Sequence, residues 1–167
     1  MKTRIALLLI FAALSGCEEK PKSALDDLPY WKWKHVSNID PITDVESVSA
    51  VLSSGPLGDG SFSPAELHYR CRGGEFEVYV AWNRYVGIDR KVTSRIDKDP
   101  VSTSSWGWSG DGKVSFYPGS SVELANKLAL SKSFHVRVNA VGGELTARFD
   151  NPGISSEVSG VREKCGS

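Results

Sequence analysis

Two adjacent glycines at positions 73 and 74 constrain the fold of this chain more than any other feature. They separate two runs in which apolar and polar residues alternate, one ending at Arg72 and the other beginning at Glu75. A two-residue Gly-Gly turn between alternating runs is typical of a β-hairpin. With Arg72 opposite Glu75, apolar residues meet on one face and opposite charges meet on the other, as stable cross-strand pairs require. A one-residue slip would ruin both faces, so the sequence predicts this register.

A second Gly-Gly pair, at positions 142 and 143, predicts another hairpin between segments 134–141 and 144–149. With Val141 opposite Glu144, the apolar face holds Val136, Val138, Ala140, Leu145, Ala147 and Phe149. The polar face then places Arg137 opposite Arg148, and like charges there destabilise a sheet unless an acidic side chain or an anion lies between them. Both explanations stay open, so the two arginines are candidate binding residues.

Other segments predict further strands and two helices. Segment 45–53 fits either a helix or a strand, and its serine and valine content favours a strand. Ser120 and Glu123 form a capping box before an amphipathic helix that ends near Ser131. A second short helix after Asn151 would carry Cys165 to the sheet. Further strands are predicted at 30–36, 92–97, 106–108 and 113–117.

These elements together predict the fold class. We expect about seven or eight strands in a β-rich α+β domain, with a mostly antiparallel sheet that is sandwich-like or strongly curved. The two short helices fall in the C-terminal half of the chain.

The start of the chain indicates export and anchoring. Charged residues are followed by a short apolar run, then by Leu14-Ser15-Gly16-Cys17. This pattern describes a secretory signal peptide, since the run is shorter than the roughly 20 apolar residues of a membrane-spanning helix. Leu-Ser-Gly-Cys resembles a bacterial lipobox, in which the cysteine is lipidated and becomes the first mature residue. We expect a signal peptide at 1–16, a lipidated Cys17 with a flexible tether at 17–29, and one periplasmic domain at 30–167.

The lipid on Cys17 would attach the protein to a bacterial membrane facing the periplasm. Glu18 follows the cysteine where aspartate is associated with retention in the inner membrane, so the outer membrane is slightly favoured. Export also leads into an oxidising compartment, where the remaining pair, Cys71 and Cys165, is expected to form a disulfide. Two unpaired buried thiols are the alternative.

Charge and aromatic content limit the choice of partners. The chain has 20 basic and 20 acidic residues, and loss of Lys2 and Arg4 with the signal peptide leaves 18 basic against 20 acidic. No basic excess remains of the kind that nucleic-acid binding requires. The five tryptophans and five tyrosines serve either core packing or a binding surface. The candidates for a binding surface are Trp31, Trp106, Trp108 and Tyr117.

The sequence contains no recognisable catalytic motif. Its three histidines are isolated in predicted strands, and it has no His-Glu-x-x-His, nucleophile elbow or phosphate loop. Asp97, Asp99 and Asp111 would suit a cation or a glycosidase pair, but turn capping explains them more simply. We therefore expect no enzymatic activity, no cofactor and no metal.

A series of residues spread over 33–165 has a distinctive order and spacing: Trp33, Asp40-Pro41, Asp44, Arg70-Cys71, Trp82, Arg95-x-Asp97, Trp108-Ser-x-Asp-Gly112, Lys127-Leu128, Val136-Arg137, Phe149-Asp150-x-x-Gly153 and Cys165. In this order they resemble the VasI/TagO family of type VI secretion-associated lipoproteins. The resemblance implies an accessory protein of the secretion apparatus in the cell envelope, with no catalytic residues to transfer. It also implies that Arg95 and Asp97 form a structural ion pair.

Three functions are therefore open. The leading one is a non-enzymatic periplasmic lipoprotein that supports a type VI secretion system through contacts with envelope or secretion-apparatus proteins. The second is a module that binds peptidoglycan or another glycan through its aromatic side chains. The third is an inhibitor or immunity-type envelope lipoprotein, including one of phage origin.

Overall fold

The computed structural model describes residues 32–55, 64–87, 89–153 and 155–167. The predictions for the signal peptide, Cys17, the tether and Trp31 therefore lie outside the described residues. No helix within these ranges is long and apolar enough to cross a membrane.

The described residues form two antiparallel sheets and two helices. In chain order the elements are β1 (Trp33–Ile39), β2 (Glu46–Ser53), β3 (Glu66–Arg72), β4 (Glu75–Ala81), β5 (Lys91–Ile96), β6 (Ser102–Ser105), β7 (Gly107–Trp108), β8 (Val114–Phe116), α1 (Ser121–Ala129), β9 (Ser133–Ala140), β10 (Gly143–Asp150) and α2 (Ser156–Lys164). Six strands form sheet A in the order β1-β2-β3-β4-β8-β7, and four form sheet B in the order β10-β9-β5-β6. The β-rich α+β class with two late helices is confirmed.

The strand count is higher than expected. Ten strands lie in the described ranges, against the seven or eight that the sequence predicts. Strand β6 is the clearest addition, because its sequence Ser-Thr-Ser-Ser has no apolar alternation to reveal it. It pairs with β5, where Ser94 lies opposite Ser102 and Thr93 opposite Thr103.

The first predicted hairpin is confirmed residue by residue. Strands β3 and β4 pair with Arg72 opposite Glu75 and Cys71 opposite Phe76. The turn glycines have φ angles of 59° and 83°, in the left-handed region that side chains disfavour. Glycine at both positions therefore allows this tight turn, and the turn sets the register of the hairpin.

The register predicted for the second hairpin is wrong by two residues. Strands β9 and β10 pair Ala140 with Gly143, so the turn is centred on Val141 and Gly142 and not on the two glycines. Gly142 has a φ of 96°, and a single positive φ at this second central position suffices for a tight turn. A shift of two residues leaves every side chain on its predicted face, and the apolar set is largely buried as expected.

Both sheets and both helices contribute to one hydrophobic core. Its largest fully buried side chains include Trp82, Tyr69, Phe134 and Phe149. Two of its aromatic side chains are hydrogen-bonded: Trp82 Nε1 donates to Ser115 Oγ at 2.9 Å, and the Tyr69 hydroxyl donates to the Pro152 carbonyl. The domain is therefore a layered β structure in which buried hydrogen bonds connect distant segments.

Helix α2 brings the C-terminus onto sheet A. Its N-cap, Ser155, accepts a hydrogen bond from the Val158 N–H at 3.1 Å, and Val158 and Val161 are buried. One turn further on, Cys165 is bonded to Cys71 with an S–S distance of 2.03 Å and a Cα–Cα distance of 5.6 Å. The pairing expected from the cysteine count is present, and the predicted helix delivers it.

Helix α1 also follows the sequence prediction. Ser120 Oγ accepts a hydrogen bond from the Glu123 N–H at 3.2 Å, which is the N-cap half of the predicted capping box. The helix ends at Ala129, close to the expected Ser131. Gly153 packs against this end so closely that a Cβ atom on it would lie 2.6 Å from the Ala129 Cα. This contact joins the segment before α2 to the end of α1.

Candidate functional site

The outer face of sheet B does not contain the predicted arginine pair. Arg137 lies opposite Thr146, and Arg148 lies opposite His135, because the shifted turn moves β10 by two residues along β9. Each arginine also has an acidic partner: Arg137 Nη1 lies 3.4 Å from Glu144, and Arg148 Nη2 lies 2.8 Å from Asp150. The like-charge pair is therefore a wrong prediction, and acidic neighbours account for the two cations.

His135 occupies the centre of a basic row across this face. Arg148 lies opposite it on β10 and Arg95 opposite it on β5. Burial lowers the pKa of His135, and Arg148 and Arg95 lower it further, while Asp150 and Asp97 oppose them. A shallow groove of about 260 Å³ lies beside this row. The arginine–acid pairs beside it leave little uncompensated charge for a ligand.

Trp106 is a core residue and not part of a binding surface. Only 3% of it is exposed, and its Nε1 donates to Ser104 Oγ at 3.2 Å. Trp108 is half-buried on β7, opposite Ser115, and packs against the core. Its Nε1 is enclosed without a hydrogen-bond partner among the described residues. Burial thus removes Trp106 from the predicted stacking residues, whereas Trp108 stays partly exposed.

Tyr117 is the predicted aromatic residue that borders an open cleft. Its ring contacts the Trp106 ring edge-on, with centroids 5.4 Å apart and an interplanar angle of 79°. The ring also lies over Gly119, where a Cβ atom would come within 2.8 Å of Tyr117 Cε1. These two contacts hold the half-buried ring at the wall of a cleft of about 490 Å³.

The cleft lies between the inner face of β5–β6 and the segment that joins β8 to α1. Serines contribute hydroxyls on one side, and Tyr117 with apolar residues forms the other. The lining residues are Ser94, Arg95, Ile96, Asp99, Pro100, Ser102, Ser104, Tyr117, Pro118, Gly119, Leu124, Lys127 and Phe134. Of the residues predicted for a binding surface, Tyr117 lines this cleft. The serines of β6 gave no signal, because inward positions in a sandwich are normally recognised by apolar residues.

The aspartates that looked clustered in the sequence act in turns and strand ends. The Asp97 carboxylate accepts hydrogen bonds from the backbone N–H groups of Lys132 and Ser133, the latter at 2.7 Å. Asp111 accepts from Ser109 Oγ at 2.6 Å, which lowers the pKa of Asp111. No group of three or more histidine, cysteine or acidic residues in the described ranges has the geometry of a metal site. Capping is the role that these contacts support.

The ion pair implied by the resemblance is replaced by two separate contacts. Arg95 Nε donates to the Asp99 carbonyl at 3.0 Å, while the Asp97 carboxylate is used at the start of β9. Both side chains lie at the end of β5, where Arg95 contacts the following turn and Asp97 contacts the start of β9.

The outer face of sheet A carries a half-buried cluster of charged and aromatic side chains. Arg70 Nε donates to Glu77 at 2.9 Å, and its guanidinium lies 4.9 Å from the centre of the Tyr79 ring. His68 stacks on the same ring at 4.6 Å, and its hydrogen bond to Glu66 lowers the pKa of that carboxyl. The arginine and the two glutamates are paired within the cluster, which stabilises the sheet, while His68 Nδ1 is buried without a partner among the described residues.

Strand β1 is the exposed edge of sheet A. Sheet order gives it one neighbour, β2, and leaves its other side open among the described residues. Val36 and Ile39 are 48% and 60% exposed, and Ile42 in the following turn is 90% exposed. An edge of this length with exposed apolar side chains is a template for strand addition.

Two surfaces therefore remain as candidates: the β1 edge and the cleft beside Tyr117. The first offers main-chain groups with apolar side chains, and the second offers hydroxyls and an aromatic wall. Comparison of the chain with protein families, curated proteins and solved structures found no match.

Proposed function

We propose that this protein is a non-enzymatic, lipid-anchored protein of the bacterial periplasm that supports a type VI secretion system through protein contacts. Lipid on Cys17 holds it to the membrane, with the outer membrane favoured. A tether of about a dozen residues lets the domain reach roughly 40 Å from that membrane. The contact is made by strand β1.

The exposed edge of β1 is the observation that supports this proposal. Its seven residues extend over about 23 Å, and six of the seven are exposed along the strand. Natural edge strands are usually short or protected by charge, and unprotected ones pair with other chains. Lys34 is the only acidic or basic side chain besides His35 in β1, and Val36 and Ile39 expose apolar surface along the strand.

The partner that fits this edge is an extended segment of an envelope protein with alternating apolar residues. Main-chain hydrogen bonds would supply affinity, and pockets for alternate side chains would supply selectivity. Lys32, Lys34 and His35 are exposed at the start of the strand, so acidic residues at the matching end of the partner would set its direction.

A deletion and complementation experiment in the host tests the proposal. The gene is deleted, and killing of a competitor strain in contact is measured after complementation with wild-type protein or with Val36→Lys/Ile39→Lys. We expect deletion to abolish or strongly reduce killing and wild-type protein to restore it. The double variant should fail to restore it, because two ammonium groups on the edge oppose strand addition.

Two further variants distinguish the loss of edge contacts from other reasons why complementation fails. Val141→Lys adds one lysine at a hairpin turn away from β1, where the side chain is 70% exposed, and should restore killing. Cys17→Ala should leave the membrane fraction and lose function. Normal killing by the deletion strain would refute the secretion role, and full activity of the double variant would refute the role of β1.

A further inference from the structure

The cleft beside Tyr117 has the size of a small-molecule site. Its volume of about 490 Å³ falls within the range of about 300–1,000 Å³ that ligand pockets occupy. It lies on sheet B and α1, whereas the contact proposed above lies at the edge of sheet A. The two surfaces therefore share no lining residue.

One wall of the cleft presents hydroxyl groups. Ser94 and Ser102 lie directly opposite each other on β5 and β6, and both line the cleft. Ser104 completes the row; its oxygen accepts the Trp106 Nε1–H, which leaves the Ser104 proton free to donate. Neither Ser94 nor Ser102 makes a side-chain hydrogen bond among the described residues. Serines at inward positions are therefore available to a ligand.

The opposite wall is aromatic and apolar. The Tyr117 ring is fixed by Trp106 and by its close approach to Gly119, and Pro118 and Leu124 extend the apolar surface. A ring held by its neighbours loses little side-chain entropy when a ligand packs on it. This wall suits the flat, apolar face of a ring.

Three charged residues border the cleft: Lys127 on α1, Arg95 near the end of β5 and Asp99 after it. None of them forms a salt bridge within the described part of the chain, and Arg95 Nε donates to the Asp99 carbonyl at 3.0 Å. Cationic donors and a carboxylate acceptor at one cleft favour a ligand that both accepts and donates hydrogen bonds.

We propose that this cleft binds a saccharide. One sugar ring packs its C–H face on Tyr117, and its hydroxyls exchange hydrogen bonds with Ser94, Ser102 and Ser104. Lys127 and Asp99 bind the remaining polar groups at the rim. A sugar combines an apolar ring face with closely spaced hydroxyls, which is the combination that the two walls of the cleft complement.

Titration of the full-length protein in detergent tests the proposal. The probes are the trisaccharide of N-acetylglucosamine, maltotriose and purified peptidoglycan sacculi, with calorimetry for the soluble sugars and co-sedimentation for sacculi. We expect saturable binding to at least one probe. Quenching of tryptophan fluorescence should accompany it, because Trp106 contacts the Tyr117 ring. Failure of all three to bind would overturn the proposal.

Two matched variants on β6 locate the site. Ser102→Phe fills the cleft from an exposed position, whereas Ser105→Phe places the same ring on the opposite face of the strand. We expect Ser102→Phe to weaken binding by at least about tenfold, or about 1.4 kcal/mol, and Ser105→Phe to bind as wild type. Equal binding by the two variants would place any saccharide elsewhere and overturn the assignment.

Gly119→Ala tests the role of the Tyr117 ring without removing it. The added methyl group would overlap the ring, so the ring must move, while the exposed backbone needs no rearrangement. We expect weaker binding with a thermal midpoint within about 2 °C of wild type. Unchanged affinity in Gly119→Ala would show that Tyr117 is not a wall of the site.

Discussion

The disulfide between Cys71 and Cys165 should be the largest single contribution to the stability of the domain. The two cysteines are separated by 94 positions, and the bond connects strand β3 to the residue that follows helix α2. The bond restricts the unfolded chain more as the closed loop lengthens. Its removal should therefore destabilise the domain mainly through the unfolded state.

The chain-entropy relation gives the magnitude. For a loop of this length the lost entropy corresponds to about 4.7 kcal/mol at 25 °C. Domains of this size have a free energy of unfolding of roughly 5–15 kcal/mol, so a third or more of it depends on one bond. In the folded state α2 retains the buried Val158 and Val161 and the Lys164–Glu46 contact at 2.8 Å. We therefore expect the reduced protein to stay folded but to unfold far more easily.

Urea unfolding of three variants measures the effect. Cys71→Ser, Cys165→Ser and the double variant should each lose about 4–5 kcal/mol relative to wild type. The double variant should lose no more than either single variant, because all three lack the same cross-link. A loss below about 1 kcal/mol, additive losses in the double variant, or two free thiols detected by mass spectrometry of wild type would refute the reasoning.

Smaller predictions follow from local contacts and from one lowered pKa. Gly153→Ala should cost about 1–3 kcal/mol, because its methyl group overlaps the backbone of Ala129. Gly160 in α2 has open space around it, so Gly160→Ala should stabilise the domain by about 0.5–1 kcal/mol. Thermal unfolding measures both glycine variants, and equal effects would contradict the close contact of Gly153 with Ala129. Asp97→Ala should cost about 1–3 kcal/mol in the same assay, because the N–H groups at the start of β9 lose their acceptor. The pKa of His135 is lowered in the folded protein, so as the pH falls below 6.5 the unfolded chain binds a proton more readily than the folded one, and the free energy of unfolding should decrease. His135→Gln should flatten that part of the stability–pH curve, and an unchanged curve would contradict this.

Local patterns predicted the parts of the fold in which two independent signals agree. In the first hairpin, both faces and the turn glycines required Arg72 opposite Glu75, and the structure has that register. Helix α1 was predicted because Ser120 supplies an N-cap just where the apolar periodicity begins. Strand β6 was missed because its serines and threonine carry no periodic signal, and only pairing with β5 makes it a strand.

The candidate sites were predicted less well, because exposure depends on packing that a sequence does not show. Trp106 and Tyr117 looked equivalent as stacking residues, yet one is buried and the other borders the cleft. Their edge-to-face contact explains the difference, since the covered ring supports the open one. The serines that form the opposite wall come from two strands, and their proximity arises only from the β5–β6 pairing.

The second hairpin shows why surfaces are harder to predict than cores. A shift of two residues keeps each side chain on its face, so the buried set at Val136 and Val138 survives the error unchanged. The same shift changes every cross-strand neighbour, and it replaces an arginine pair by Arg137 beside Thr146. Burial energy therefore cannot distinguish the two registers, and the conformation of the turn determines which one forms. Because one glycine at the second central position satisfies a turn as well as two glycines do, the pattern Val-Gly-Gly-Glu permits both registers. The arginine pair exists in only one of them.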